Sequence, residues 1–350
     1  MKRLLFSILT ASFLLSCSAP TAELQTVQGE AQGTTYTILY YDAANRNFKA
    51  EFDALLKEVD LSLSAWVPTS SLSIINASEE LEVEFDDPNG YFSTMIEASR
   101  GVYERSGAAF DPTVAPLVNL WGFGLKNREN VTDQMVADAL PLVGFGDDRI
   151  SLGASDSGES KAILKKADKG IQFDFNAIAQ GYSVDLLGDL LAENGVTSFM
   201  IELGGEVLTR GKKQDGSSWR IGIDKPEENL ANRALQAIVN LDDKAVATSG
   251  YYRKFYEIDG VKYSHTIDPS TGRPVTHSLL SATVITEECA YADAWATAFM
   301  VMGTEKTKAF LEENKDLGLD VYLIYNDENG AYKTWMSEGL SAIVEELEGN

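Results

Sequence analysis

Apolar side chains recur at helical spacing through Phe48, Phe52, Leu55, Leu56, Val59 and Leu63, which predicts a helix over that stretch. A second such stripe, Phe92, Met95, Ile96, Val102 and Tyr103, predicts a helix ending near Gly107. Thr132 is placed to cap a third, running to about Leu142. Strand-like runs mark Thr35–Tyr41 and, further on, "IQFDF", "SFMIEL", "WRIGID", "ALQAIVNL" and "LLSATVI". Between "IQFDF" and "SFMIEL" a helix is expected from about Asn176 to Asn194, stopped by Gly195. Another is expected from about Cys289 to Met302, closed by Gly303, with Thr304 capping the next. Asp259-Gly260 and Asn329-Gly330 read as hairpin turns. Helices and strands alternate without a repeated βαβ period, so the fold class is α+β (mixed α/β).

The first residues follow a different pattern. Lys2 and Arg3 precede an apolar run from Leu4 to Leu15, which is too short to span a bilayer and reads as a secretory signal. It ends in Leu14-Leu15-Ser16-Cys17, which resembles the lipobox of bacterial lipoproteins. That resemblance implies a signal peptide over residues 1–16, lipidation of Cys17 and a lipid-anchored tether over 17–32. A single domain over 33–345 would then sit on the periplasmic side of the bacterial inner membrane, with the membrane as partner through its anchor. An uncleaved anchor is the alternative.

Composition narrows the classes further. Cys289 is the only other cysteine, so no intramolecular disulfide remains once Cys17 is lipidated, and the core alone must hold the fold. Cys289 itself reads as a buried small hydrophobe. A hydrophobic content of 44% over such a length is sufficient for that core. The net charge of −24 argues against nucleic acid and anionic membrane surfaces as partners. A phosphorylated ligand stays possible, given local help from a divalent metal, a helix N-terminus or a few placed cations. Two unit charges ~4 Å apart interact by about 4 kcal/mol at an effective dielectric of ~20, so an acidic site holds a pyrophosphate only with a metal between them.

Several segments carry groups suited to such chemistry. In "FDFNAIAQGYSVD", Asp174 closes an apolar run, Asn176 is a natural N-cap, and Gly181 stands inside the helix. An ordinary capped helix has the same appearance. In "ECAYADAWATAFMVMG", Asp293 and Thr297 lie four apart on one face of an alanine-rich helix. Two oxygen side chains there suit a hard cation such as Mg²⁺, although a solvated Asp293 with Thr297 bonded back to the helix is the plainer reading. "IELGGEV" places Gly204-Gly205 where a ligand or backbone approaches closely, or where the strand merely bulges. "AFDPTV" offers Asp111 before a proline, hence a turn with an exposed carboxylate. "LSAWVPTSSLSIIN" joins Trp66 to a Ser/Thr turn, either as an aromatic wall for a flat ring or as core. "YSHTIDPSTGRPVTH" contains both histidines, His265 and His277, in a turn-rich loop without regular metal geometry.

Taken in order, "GTTY", "LSAWVPTSSLSIIN", "AFDPTVAPLVNLWGFG", "DFNAIAQGYSVD", "IELGGEV", "SHTIDPSTGRPV" and "DAWAT" resemble the ApbE family, the FAD:protein FMN transferases. The resemblance covers nearly the whole chain after the leader. It implies a two-lobed fold of mixed, largely antiparallel sheets packed by helices. It also implies Mg²⁺-dependent transfer of FMN from FAD to a Thr or Ser hydroxyl of an exported flavoprotein subunit, such as a membrane redox pump or reductase component, with release of AMP. Some members instead hydrolyse FAD to FMN and AMP, and a non-enzymatic flavin-binding lipoprotein is a further alternative. By position, Asp293, Thr297 and the Ala177 carbonyl correspond to the metal ligands. Trp66, Ala109, Phe110, Asp111, Asp174, Gln180 and Ile267 correspond to the flavin-nucleotide contacts. The family often has Tyr where this chain has Trp66, and Lys or Glu in place of Gln180. His265 falls in the nucleotide loop and joins Asp293 as a catalytic candidate, by hydrogen-bonding rather than by ligating metal. His277, past Arg273-Pro274, is expected at the surface.

Overall fold

The computed structural model describes residues 22–125, 130–158, 160–226, 234–250, 255–258 and 261–347. Strands β1 (Leu24–Ala31) and β2 (Thr34–Tyr41) form a hairpin, followed by helices α1 (Lys49–Leu63) and α2 (Ser71–Ala77). Next come β3 (Glu82–Asp86), α3 (Tyr91–Arg105), α4 (Ala115–Leu120) and α5 (Asp133–Ala139). β4 (Ile150–Ala154), β5 (Lys161–Lys166), α6 (Ala179–Glu193), β6 (Phe199–Leu203) and β7 (Glu206–Arg210) follow. Then come β8 (Trp219–Asp224), β9 (Leu235–Leu241), β10 (Ala245–Gly250), β11 (Phe255–Ile258) and β12 (Val261–Ser264). After the short β13 (Ile267–Asp268) and β14 (Arg273–Pro274) stand β15 (Leu279–Thr286), α7 (Cys289–Met302) and α8 (Thr304–Glu313). The last described elements are β16 (Asp320–Asn326), β17 (Tyr332–Met336) and β18 (Val344–Glu346).

Eight strands form the main sheet in the order β1-β2-β6-β7-β10-β15-β16-β17. Neighbouring strands in it run antiparallel throughout. β15 is an interior strand, sixth in that order, and every residue is buried, because both faces of the sheet are covered. Leu279, Ala282 and Val284 join one core with Phe299 of α7, while Leu280 and Ile285 join another with Val239 and Tyr322. The second core is closed by a three-stranded sheet, β18-β9-β8. The outer β3-β5-β4 sheet and α3 contribute Phe85, Leu164 and Phe92 to the same core as α7, so the outer lobe is fused to the main one.

Two helices define the centre. α7 is buried on nearly all sides, which its alanines permit. α6 crosses it so closely that a Cβ on Gly181 would lie 2.3 Å from the Cys289 carbonyl oxygen and 2.8 Å from the Ala290 Cα. One turn on, Asp185 caps α7: its carboxylate accepts Cys289 N–H at 2.7 Å and Ala290 N–H at 2.8 Å. Burial pushes the Asp185 carboxyl up to about 7, against the two N–H bonds that favour its charge.

Some expected elements differ. The second half of the expected 17–32 tether is strand β1, paired with β2 along its length, so the folded unit starts at Leu24. Only Val27 of β1 is buried, which is why the strand leaves no apolar alternation. "IQFDF" is not a strand: Phe173 pairs through the Asn76 side chain, and Asp174 N–H donates to the Pro112 carbonyl at 2.8 Å. Helix α6 begins at Ala179 rather than Asn176, with Ile178 as its N-cap, because the Asn176 N–H is taken by Asp174 Oδ1 at 2.8 Å. Gly303, not Thr304, is the N-cap of α8. The leader over 1–16, Cys17 and the Asp259-Gly260 turn lie outside the described residues. Among the described residues no helix is long and apolar enough to cross a membrane.

Two consequences are measurable by denaturant unfolding. Gly101 is exposed in α3 with nothing near its would-be Cβ, so Gly101→Ala should stabilise by about 0.5–1 kcal/mol. Gly181→Ala, the same change in another helix, should destabilise by about 1–3 kcal/mol, because backbone of α7 fills the space. For Asp185 the sign follows from a folded pKa above the unfolded one. Its contribution is greatest below about pH 4 and is lost as pH rises through about 7. The stability gap between wild type and Asp185→Asn should therefore shift in favour of the variant over that interval and level off above it.

Candidate active site

The seam between α6 and α7 gathers the oxygen donors. Asp293 is 5% exposed, and its Oδ2 accepts the Gly181 N–H at 3.3 Å. Gly181 stands in the first turn of α6, where backbone N–H groups have no partner within the helix, and Ala177 lies just before the N-cap Ile178. Here the Ala177 carbonyl accepts no backbone hydrogen bond from the described residues. A turn further along α7, the Thr297 hydroxyl lies 3.1 Å from Ser249 Oγ on β10. Burial, with Glu206 and Asp185 adding negative charge, raises the Asp293 carboxyl well above the ordinary carboxylate range. An acid held in that setting is suited to a cation. Among the described residues no three His, Cys, Asp or Glu side chains converge as metal ligands. The groups at this seam that would hold a metal are the Asp293 carboxylate, the Thr297 hydroxyl and the Ala177 carbonyl.

The glycine pair and the loops close around the same seam. Gly204-Gly205 is the two-residue turn of the β6–β7 hairpin, not a bulge, with φ of +65° and +113°. A Cβ on Gly204 would lie 2.6 Å from the Gln180 Nε2 and 3.0 Å from the Thr34 methyl, so the "GTTY" and "IELGGEV" segments meet at the start of α6. Asp174 is half-buried, its carboxyl raised by desolvation, and its backbone ties "DFNAI" to "AFDPTV". The loop carrying Ile267 is held against that segment by Trp121 Nε1–H, which donates to the Gly272 carbonyl at 2.7 Å.

Individual residues depart from expectation in informative ways. Trp66 is 65% exposed, so it is not core, and its ring stands open in the turn between α1 and α2. Asp111 is buried rather than exposed, and its Oδ1 accepts both the N–H (2.7 Å) and the hydroxyl (2.6 Å) of Thr113. Desolvation raises its carboxyl. The side chains of Phe110 and Ile267 are packed into cores, which leaves their backbones for any ligand. Ala109 is half-buried after Ala108, whose φ is +66°. His265 is half-buried, edge-on to Phe123 at 6.4 Å. His277 is not a free surface residue: its Nδ1 accepts the Leu279 N–H at 3.3 Å and its Nε2–H donates to the Met300 carbonyl at 2.7 Å. Burial lowers its pKa, so the ring is a neutral pin between β15 and the end of α7.

Three positioning residues carried little signal in the sequence. Asp185 caps α7 from α6, and Ser249 meets Thr297 from β10. Asn76 clamps Phe173, accepting its N–H at 2.7 Å and donating to its carbonyl at 2.8 Å. The spacing of Asp185, four after Gly181, was the one available pointer to a shared face.

A sequence model of the ApbE family matches residues 32–323. The FAD:protein FMN transferase of Haemophilus influenzae is 33% identical over 357 aligned positions, covering 99% of this chain and all of its own. That of Vibrio cholerae is 34% identical, covering 98% of this chain and 99% of its own. The solved structure of the flavin transferase ApbE from Vibrio cholerae superimposes with a TM-score of 0.79 at 33% identity, over 92% of this chain and 99% of that one. Likeness that runs end to end through both sequence and fold has one explanation: this chain belongs to the ApbE family.

Proposed function

We propose that this chain transfers FMN from FAD to a Thr or Ser hydroxyl of an exported flavoprotein subunit and releases AMP. The coarser statement, an enzyme of the FAD:protein FMN transferase class, rests on relatives of that name matched over nearly the full chain. The finer one is supported by a single local observation: the buried Asp293 carboxylate reaches the first turn of α6 at the Gly181 N–H, and the Ala177 carbonyl just before that turn accepts no backbone hydrogen bond from the described residues.

These donors fit Mg²⁺, which prefers oxygen ligands and substrate phosphates, better than Zn²⁺, which favours nitrogen and sulfur. Asp293, Thr297 and the Ala177 carbonyl would hold it. Bound there, it would offset charge on the pyrophosphate and on the departing AMP. The acceptor oxygen forms a bond to the FMN-side phosphorus of FAD, the bond from that phosphorus to the AMP oxygen breaks, and the hydroxyl proton is lost. The chain's own contribution is alignment. Gly204-Gly205 admits close approach, the Trp66 ring is open for a flat ligand, and the backbones at Ala109, Phe110 and Ile267, with Asp111, Asp174 and Gln180, border the nucleotide. His265 serves as a hydrogen-bonding group of the nucleotide loop. The lipobox-like leader supports a lipid anchor at Cys17 on the periplasmic side of the inner membrane.

The deciding experiment mixes the protein with FAD, Mg²⁺ and a candidate acceptor, then weighs the acceptor. An FMN-sized gain is expected. FMN and AMP without a gain would establish a pyrophosphatase instead, and intact FAD a binding protein. Asp293→Asn keeps an acceptor for the Gly181 N–H but removes the charge. It should cut turnover by about 100-fold or more while leaving the melting temperature equal or higher, since a buried acid among acids is lost. Calorimetric titration of Mg²⁺ should give tighter binding with FAD present, by roughly 5- to 150-fold. Equal affinities would separate the metal from the pyrophosphate.

A further inference from the structure

Lys166 ends β5 and is only 3% exposed. Its Nζ faces four backbone carbonyls: Lys169 at 3.1 Å, Ile171 at 3.2 Å, Ile75 at 3.3 Å and Ser78 at 3.4 Å. Among the described residues no carboxylate lies within ion-pair distance of it. Desolvation draws its pKa down, and Asp168 offsets only part of that. An ammonium with three N–H bonds cannot give four carbonyls one linear hydrogen bond each. A shell of carbonyl oxygens around one positive centre is instead what a dehydrated monovalent cation receives.

The cage joins two segments that meet again at the next residues. Ile75 and Ser78 belong to the end of α2, and Lys169 and Ile171 to the loop after β5. Between Ile75 and Ser78 stands Asn76, whose side chain clamps Phe173 on both its N–H and its carbonyl, while its own carbonyl accepts Gln172 Nε2–H at 2.9 Å. Asp174 is the next residue, fixed in turn to Pro112. We propose that Lys166 is a positioning residue for FAD: a tethered ammonium that fills a monovalent-cation cage and so fixes the Asn76–Phe173 joint from which Asp174 enters the site. The functional half rests on the reading that Asp174 contacts the nucleotide; the cage itself does not.

The test uses the full chain with Lys166→Ala, Lys166→Met and an Asp174→Ala control, assayed in choline, sodium, potassium and ammonium chlorides at equal ionic strength. In choline, Lys166→Ala should raise KM for FAD about tenfold with kcat nearly unchanged. Potassium or ammonium should restore KM and raise the melting temperature of this variant, with wild type indifferent to the cation. Lys166→Met, which keeps the stem but has no charge, should show the raised KM without rescue. Absence of cation-specific recovery in Lys166→Ala, or failure of that variant to fold in every salt, overturns the cage. Thermal rescue with wild-type FAD affinity in choline overturns the positioning role while leaving the cage. An unchanged KM in Asp174→Ala identifies the nucleotide reading as the part that failed.

Discussion

The contact on which the site depends is backbone against backbone, where α6 meets α7 at Gly181. A side chain of any size there would meet the Cys289 carbonyl, so the approach requires glycine and nothing else. Two features follow from that closeness. The Gly181 N–H, one of the first-turn donors of α6, reaches across to Asp293, and Asp185 reaches the free N–H groups of α7. A wider crossing would leave these first-turn N–H groups of both helices without their carboxylate partners.

The second constraint is charge. A chain of net −24 is a poor host for a pyrophosphate unless positive charge is supplied locally. Among the described residues no cationic side chain pairs with Asp293, which has further acids beside it and carries a strongly raised pKa. An environment that resists the carboxylate's own ionisation is one in which a divalent cation binding alongside it gains most. Cationic side chains are spent elsewhere, in surface pairs such as Arg105–Asp316 and Lys165–Glu82 and in the carbonyl cage of Lys166.

The surrounding loops are held by side-chain-to-backbone bonds rather than by sheet ladders. Asn76 on Phe173, Thr113 Oγ1 on the Gly144 N–H, and Trp121 on Gly272 each connect segments distant in sequence. Such bonds let irregular backbone be rigid without becoming a strand, which keeps its remaining polar groups available to a ligand.

Long amphipathic helices and the buried strand β15 were legible in the sequence because their apolar period is set by the chain itself. So were the chemical types at Asp293, Thr297, Gly204 and Gly205, since an oxygen pair at helical spacing and a glycine pair after a strand need no neighbours to be noticed. What the sequence could not disclose was everything created by a partner. β1 is a strand because β2 lies beside it, with one buried residue of its own. "IQFDF" has strand composition but finds the Asn76 side chain and the Pro112 carbonyl before it finds a ladder. His277 is captured by Met300, a residue on another element. Local periodicity belongs to the chain, whereas burial and hydrogen-bond choice belong to whatever tertiary structure brings within 3 Å or so of it.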